Sequence, residues 1–282
     1  MTSSKAAAHP GPVPVVAPPG TETVRLAWAS SLALPAATLL VAVLVLVAWQ
    51  YLPPALGVPR FIIPTMTDMA AEMGRMWRQE DLLTHLLSTA SMAAIGFVAG
   101  GILGAGCGYA LGLSPLWEKV LSPYILALQI APKVAFAPLF IMWFGYNAWP
   151  KLIVTVLVVF FPILVNVLQS MKTTDRDLVN LARAYSMTRA QIFWKVLFPA
   201  SMPNLLAGLR IGATLAVIGV TVGELVGGSI GLGYLITYGE GQANTAMVFD
   251  AIVLLTVIGI ALYWMVAAAE ARILHYLPKV AG

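Results

Sequence analysis

Long apolar runs alternate with short polar segments along most of this chain, and the runs have the length of membrane-spanning helices. About 20 apolar residues are needed to cross the hydrocarbon core of a bilayer as a helix. The pattern therefore predicts an all-α, polytopic membrane protein. Six spans are predicted, at residues 32–51, 85–113, 121–144, 152–171, 204–226 and 247–274.

The N-terminal segment before the first apolar run has a different composition. Residues 1–31 contain five prolines among small residues. Such a composition buries too little apolar surface to fold, so a disordered, Pro-rich tail is predicted. The positive residues and the apolar run are too far apart for a secretory signal, and no cleaved signal peptide is expected. Residues 32–282 form the predicted membrane domain.

One polar segment, residues 177–203, separates the fourth and fifth spans. Its first half places Leu178, Leu181, Ala182 and Tyr185 on one face of a helix, with charged residues off that face. A helix of this length spans about 14 Å, which is too short to cross a bilayer. This part of the segment therefore predicts a surface helix whose apolar stripe needs a partner.

The second half of the segment predicts another short helix. Thr188 and Gln191 have the spacing of a capping box, and the helix is expected to end at Pro199. Ser186 and Met187 must turn the chain between the two helices. The pattern alone is compatible with an amphipathic loop lying on the lipid surface.

The second span contains a repeating series of small residues. Glycine occupies every fourth position, which allows the backbone of another helix to approach closely. Glycine costs about 1 kcal/mol relative to alanine in a helix, so its repetition favours a packing role. Cys107 lies in the same run and is expected to be a small buried residue. The glycines are Gly96, Gly100, Gly104, Gly108 and Gly112.

Composition supports the membrane assignment. Hydrophobic residues make up 60% of the chain, charged residues 10%, and the net charge is +4. The cations are not clustered, so a nucleic-acid partner is not predicted. Of the 16 Lys and Arg residues, most fall on the side of the membrane that holds segment 177–203. Because positive residues favour the cytoplasm, that segment and both termini are predicted to be cytoplasmic.

A few polar side chains lie inside predicted spans, where ionisable groups are costly and mark functional positions. Lys133 is the foremost of these, between Pro132 and Pro138 in a span that the prolines should break. Glu224 and Asp250 are expected near the outer surface of the membrane. They flank the Gly-rich loop GGSIGLG, residues 227–233. For each candidate, the alternative to a functional role is a structural one, such as a hydrogen bond between helices. The pathway candidates are Gln129, Lys133, Asn166, Thr221 and Glu224.

The polar segment resembles the cytoplasmic motif of bacterial ABC importer permeases. That motif is Glu-Ala-Ala, three residues, Gly, nine residues, then Ile-x-Leu-Pro. Laid on this chain from Asn180, it places Ser186 at the Gly position and Pro199 at the final Pro. The stretches APKVAFAPLFIMWFG and GELVGGSIGLGYLI are similar to the branch that serves nitrate, sulfonate, taurine and pyrimidine-precursor importers. The resemblance extends from Leu82 to the C-terminus.

This resemblance implies a type I ABC importer permease fold with a coupling loop at residues 174–199. It implies a homodimer, two docked ATPase subunits that bind ATP and Mg²⁺, and an external solute-binding protein; the chain itself would bind no cofactor or metal. Of the implied solutes, which include sulfonate and nitrate types, a pyrimidine-precursor or riboflavin-like solute is favoured over a sulfonate. The implied ATPase-docking residues are Asn180, Ala182, Arg183, Ala184, Tyr185, Ser186, Met187, Thr188 and Arg189.

Two other functions remain open at this stage. A stand-alone secondary transporter would also use broken helices and intramembrane charges, but it has no need of a docking motif. An intramembrane hydrolase would need a nucleophile paired with a base. His9, His85 and His275 lie far apart and are expected to be solvated or interfacial. The sequence has no Gly-x-x-x-x-Gly-Lys-Ser/Thr loop, so ATP hydrolysis is expected on a partner.

Overall fold

The computed structural model describes residues 33–276, and every regular element in that range is helical. The predicted disordered tail, residues 1–31, lies outside the described residues. The chain divides into two units, Met1–Trp49 and Gln50–Gly282. The helices are α1 (Ala33–Ala55), α2 (Met66–Gln79), α3 (Leu82–Gly112), α4 (Pro115–Ile130), α5 (Ala137–Phe144), α6 (Ala148–Thr173), α7 (Arg176–Ala184), α8 (Arg189–Ile192), α9 (Phe198–Gly227), α10 (Leu232–Gly241) and α11 (Thr245–Ile273).

The helices of the described range include the predicted spans. Five are long and apolar enough to cross a membrane, and α4 with α5 forms a sixth if the bent pair is one span. The prediction of an all-helical membrane protein is therefore confirmed. The third predicted span is the bent pair, whose two parts meet at an angle of 77°. Of the two prolines predicted to break this span, Pro132 lies at the bend, and Pro138 lies in the first turn of α5.

The core of the second unit is a layer of three long helices. Helix α6 packs along α3 on one side and along α9 on the other, and α11 packs against α9 and α10. Between α3, α6 and α9, a small cluster of buried aliphatic side chains is formed by Val159, Ile163, Val167 and Ala216. Helices α4 and α5 make fewer contacts, and no residue of α4 is buried within the described part of the chain.

The predicted glycine series on α3 lies against α6. A Cβ on Gly96 would come within 2.4 Å of Thr155, and one on Gly104 within 2.6 Å of the Phe160 carbonyl oxygen. Gly100, Gly108 and Gly112 would bring their Cβ atoms within 3.0 Å of α6 in the same way. The two backbones are therefore closer than any larger residue permits. Cys107 is exposed, on another face of α3, so the expectation that it is buried was wrong.

The short helix α2 lies outside the predicted spans and begins with a capping box. The Thr65 side chain accepts a hydrogen bond from the Asp68 N–H, and the Asp68 side chain accepts one from the Thr65 N–H. The hydroxyl of Thr65 also donates to the Asp68 carboxylate at 2.6 Å. These hydrogen bonds stabilise the charged form and lower the pKa of the Asp68 carboxyl.

Candidate functional site

The turn after α7 has the geometry that normally requires glycine. Ser186 has a φ of +56°. Its N–H bonds the Arg183 carbonyl at 2.8 Å, and the Met187 N–H bonds the Ala182 carbonyl at 3.1 Å. These two bonds form a Schellman motif, whose left-handed position is usually glycine. The turn predicted at Ser186 and Met187 is therefore present, with serine in place of glycine.

Helix α7 presents an apolar stripe to solvent. Leu178 is 48% exposed, Leu181 55% and Tyr185 77%. Only Ala182 of the stripe is buried, at 5% exposure. A cavity of about 480 Å³ lies beside the stripe and is also lined by Met187. No other part of the described chain therefore covers Leu178, Leu181 and Tyr185 of this stripe.

A second, polar cavity adjoins the other side of α7. Its volume is about 820 Å³, and its walls come from the ends of α3 and α6, the start of α4, and α7. The one carboxylate among its lining residues, Glu118, is 2.6 Å from the Lys172 ammonium. The net charge of the cavity is therefore positive. Its charged and amide residues are Glu118, Lys119, Lys172, Arg176, Asn180 and Arg183.

The second half of the polar segment differs from the prediction. Its capping box is present: the Thr188 N–H bonds the Gln191 side chain at 2.8 Å, and the Gln191 N–H bonds the Thr188 hydroxyl at 3.3 Å. The helix, however, does not end at Pro199. It continues from Arg189 to Gly227, a run of 39 residues.

A π-helical turn at Phe193–Leu197 explains how the helix passes the proline. In this turn the Phe198 N–H bonds the Phe193 carbonyl, one residue further back than in an α-helix. Pro199 follows in the first turn of α9, where its missing N–H is tolerated. The segment that begins at Arg189 and the fifth span are thus one continuous helix, and the turn at Ser186 separates it from α7.

At the far end of α9, four consecutive residues are held by four side chains: the last two of the loop before α10 and the first two of α10. Lys151 donates to the Ile230 carbonyl at 2.7 Å, and His85 Nδ1 accepts from the Gly231 N–H at 3.0 Å. Thr89 Oγ1 accepts from the Leu232 N–H at 2.8 Å. Glu224 accepts from the Gly233 N–H at 2.9 Å. We call the segment Ile230–Gly233 with these four side chains the outer latch.

The centre of the outer latch is a carboxylate without solvent exposure. Glu224 is 0% exposed, and Thr89 Oγ1 lies 3.0 and 2.9 Å from its two oxygens. The Lys151 ammonium is 3.9 Å from the same carboxylate. A Cβ on Gly231, whose φ is +129°, would fall 2.1 Å from it. Burial of a carboxylate is tolerated here because hydrogen bonds and a cation surround it.

Lys133 lies at the break between α4 and α5. Its ammonium donates to the Gln129 carbonyl at 2.6 Å and lies 3.5 Å from the Ala131 carbonyl oxygen. It also sits 4.9 Å from the centre of the Phe161 ring. A cation at the carboxyl end of a helix interacts favourably with the helix dipole. Lys133 therefore stabilises the end of α4 and joins the break to α6.

The other pathway candidates are on different helices. Asn166 donates its side-chain amide to the Pro162 carbonyl at 2.8 Å, and Thr221 donates to the Val217 carbonyl at 2.7 Å. Thr221 also lines a cavity of about 670 Å³ between α9 and α11. Among the described contacts, only those of Lys133 with the Gln129 backbone join two of the five candidates. The pathway candidates thus do not form one cluster within a single chain.

Comparison with known proteins identifies the family of this chain. Residues 92–275 match the model of the "Binding-protein-dependent transport system inner membrane component" family. The matched residues make up more than half of the chain. The chain belongs to this family of ABC importer permeases.

Several relatives of the permease are named transport permeases. The formylaminopyrimidine transport permease protein ThiX of Halalkalibacterium halodurans is 35% identical over 77% of this chain and 86% of its own. The riboflavin transport system permease protein RibX of Chloroflexus aurantiacus is 34% identical over 94% and 97%. The SsuC protein of Bacillus subtilis, a putative aliphatic sulfonates transport permease, is 32% identical over 83% of each chain.

A solved structure supports the same fold. An inward-facing structure of the MetNI methionine ABC transporter matches the permease with a TM-score of 0.58 and 20% identity. The match covers 70% of this chain and 96% of that one. The predicted type I importer permease fold is confirmed. The family also favours a permease subunit over the secondary transporter and hydrolase alternatives.

Several residues of the outer latch were missed or misplaced by sequence reasoning. Lys151 directly precedes the predicted fourth span, 152–171, yet it is buried in the first turn of α6. His85 was expected to be solvated or interfacial; it is half-buried, bonds Gly231 and stacks on Tyr234 at 5.7 Å. Glu224 does flank the Gly-rich loop, although its carboxylate faces protein. Thr89 had no sequence signal, since a threonine in an apolar helix is common.

Asp250 differs from Glu224 in its surroundings. It is only 2% exposed, and its Oδ2 has no hydrogen-bond partner among the described residues. Asp250 was expected near the outer surface beside the Gly-rich loop, and its side chain is buried within the described part of the chain. Among the described hydrogen bonds, none joins Asp250 to a residue of the outer latch.

Proposed function

We propose that the permease binds ATPase subunits through the docking segment, defined as Arg176–Leu197. The observation that carries this proposal is the exposed apolar stripe of Leu178, Leu181 and Tyr185 on a short polar-flanked helix. Exposed apolar surface next to a polar rim is typical of protein interaction sites. The resemblance of this segment to the family's cytoplasmic motif, from Asn180 to Pro199, supports the same role.

The charge around the stripe defines what the partner presents. The adjoining cavity carries Lys119, Lys172, Arg176 and Arg183 against the single carboxylate Glu118. An ATPase surface with apolar and acidic side chains is complementary to this arrangement. The proposed docking residues are those of the motif, Asn180 and Ala182–Arg189. ATP and Mg²⁺ are bound by the ATPase, and the permease supplies neither ligands nor chemistry for them.

The assembled importer contains two permeases, two ATPases and a solute-binding protein on the opposite face. Both permease termini and the docking segment lie in the cytoplasm, and the chain lies in the bacterial inner membrane. ATP-driven closure of the ATPases moves the docking segments, and the spans reorient between outward-open and inward-open states. Lys133 lines the pathway at the broken span, with Gln129, Asn166 and Thr221 as further pathway residues.

The transported solute is proposed to be a small nitrogen heterocycle rather than a sulfonate. Relatives named for formylaminopyrimidine and riboflavin transport are 35% and 34% identical to this chain. The sulfonate relative of Bacillus subtilis is 32% identical. The broken-span sequence from Ala131 to Gly145, with lysine after the first proline, points to the same group.

The test of this function begins with the permease in its native membrane. An affinity-tagged chain is purified in mild detergent, and its partners are identified by mass spectrometry. An ABC ATPase in a one-to-one ratio with the permease is expected, and purification without any ATPase contradicts the proposal. Uptake of labelled formylaminopyrimidine, riboflavin and taurine is then compared in cells with and without the permease gene. Loss of taurine uptake alone would overturn the proposed solute class.

A further inference from the structure

The outer latch and the second half of the docking segment lie at opposite ends of one helix, which we call the rod. The rod begins at Arg189 and reaches Gly227 without a break, so it measures about 58 Å at about 1.5 Å per residue. Its inner end, Arg189–Leu197, follows the turn at Ser186 that joins it to the exposed stripe on α7. Its outer end carries Glu224, one turn before the loop that the outer latch holds. A displacement of the docking segment is therefore carried to the outer end along one helix, in which Pro199 and Pro203 donate no backbone hydrogen bond.

The latch joins that rod to three other helices. Thr89 belongs to α3 and Lys151 to α6, while Gly233 lies in the first turn of α10. All three meet the carboxylate of Glu224 on α9. Thr89 Oγ1 is the bridge, because it lies within 3.0 Å of both carboxylate oxygens and accepts the Leu232 N–H. Without this hydroxyl, the carboxylate of Glu224 and the Leu232 N–H both lose a hydrogen bond that links α9 to the start of α10 through α3.

We propose that Glu224, with Thr89 and Lys151, is a positioning cluster that transmits ATP-driven movement of the docking segment to the outer loop. The inference rests on the proposed function, because it assumes that an ATPase moves the docking segment. It adds the residues that carry the movement to the opposite face. Two distant sites can be coupled through a rigid secondary-structure element whose arrangement both sites bias, and we assign that role to the rod with its latch.

The experiment places one thiol reporter at each end of the rod in a Cys107→Ala background. Ser229→Cys reports on the exposed loop beside the latch, and Ala190→Cys reports on the docking segment. Each variant is purified with its ATPase. The rate of reaction with a small charged maleimide is measured without nucleotide and after trapping with ATP and vanadate. In the parent protein, trapping is expected to change the rate at least threefold at both positions.

Thr89→Val then removes the bridging hydroxyl while keeping the side-chain shape. The nucleotide-dependent change at Ser229→Cys should disappear, and the change at Ala190→Cys should remain. Thr89→Ser, which restores the hydroxyl, should restore the response at Ser229→Cys. Thr155→Val is the matched control, since Thr155 is equally buried and its hydroxyl bonds only the Lys151 carbonyl of its own helix. Both responses should persist in that control.

Each failure has its own pattern. A full response at Ser229→Cys in Thr89→Val, or no response there in the parent while Ala190→Cys responds, overturns the positioning role. Equal loss of both responses with a lowered Tm indicates a purely structural role and also overturns it. If Thr89→Val does not assemble, Glu224→Gln provides the same comparison. Absence of a response at Ala190→Cys in the parent contradicts the proposed function itself.

Discussion

The two ends of the rod from Arg189 to Gly227 differ in how completely this chain buries and hydrogen-bonds the residues around them. At the outer end, Glu224 is fully buried, and the loop residues Ile230–Gly233 each have a partner. In the segment that precedes the inner end, Leu178, Leu181 and Tyr185 are exposed, and Ser186 adopts a backbone conformation that serine rarely occupies. One end is therefore complete within the chain, and the other requires a partner.

This difference shows which kind of substitution each end tolerates. Buried polar groups cost free energy when a partner is removed, because the remaining group is desolvated and unpaired. Substitutions in the outer latch should therefore reduce the stability of the isolated permease. Substitutions on the exposed stripe should leave the isolated permease stable and change only the assembled importer. The following predictions test this distinction from the largest expected effect to the smallest.

The largest effect is expected for Gly231→Ala. The added Cβ would fall 2.1 Å from the Glu224 carboxylate, and the φ of +129° is unfavourable for alanine. Overpacking and backbone strain together should destabilise the permease by roughly 3 kcal/mol or more. Thermal unfolding in detergent measures this as a lowered Tm. Gly241→Ala is the control, because no atom lies within 4 Å of its Cβ position. Equal Tm values for the two variants would show that the loop is loosely held.

A somewhat smaller effect is expected for Gly104→Leu on the face of α3 that packs on α6. A Cβ there would come 2.6 Å from the Phe160 carbonyl oxygen, so the helices must separate. Overpacking of this kind typically costs about 1 to 3 kcal/mol. Gly106→Leu on the same helix is the control, since its Cβ position has no atom within 4 Å. Comparison of the two Tm values is the measurement, and no difference would indicate that α3 and α6 pack differently.

Much of this packing and of the docking segment was predictable from sequence. The glycine series on α3, the capping box of Thr188 and Gln191, and the break near Pro132 each depend on residues that are close in the chain. The outer latch was not predictable, because Thr89, Lys151 and Glu224 are far apart in sequence and meet only after folding. The continuity of the helix through Pro199 depends on a π turn, which leaves no simple periodic signal.

Lys133→Met should reduce transport about tenfold while the ATPase remains bound. The ammonium caps the end of α4 through the Gln129 carbonyl, and methionine keeps the length of the side chain without the donor. Uptake of the solute by cells, with ATPase co-purification as the control, measures the effect. Lys133→Cys in a Cys107→Ala background should react with a water-soluble thiol reagent at a rate that changes with ATP. Normal transport by the methionine variant, together with a thiol that never reacts, would leave Lys133 a structural residue.

The smallest effect is expected for Ser186→Gly. Glycine adopts the left-handed conformation at lower cost than serine, so the Schellman turn should be stabilised by about 1 kcal/mol or less. ATPase binding and transport should be retained, because the Ser186 side chain makes no described hydrogen bond in the turn. A Tm equal to or slightly above that of the parent is the expected measurement. Loss of ATPase binding in this variant would contradict the assigned turn geometry.

The most direct test of the central claim is the affinity of the purified ATPase for the permease when a charge enters the exposed docking segment. Met187→Glu and Ala184→Asp place a carboxylate at or beside the turn, and Glu240→Gln, an exposed substitution on α10, is the control. Affinity should fall at least tenfold for both docking variants and stay unchanged for the control, with the same Tm for all three permeases. Parental affinity in Met187→Glu and Ala184→Asp would contradict the claim that this segment binds the ATPase.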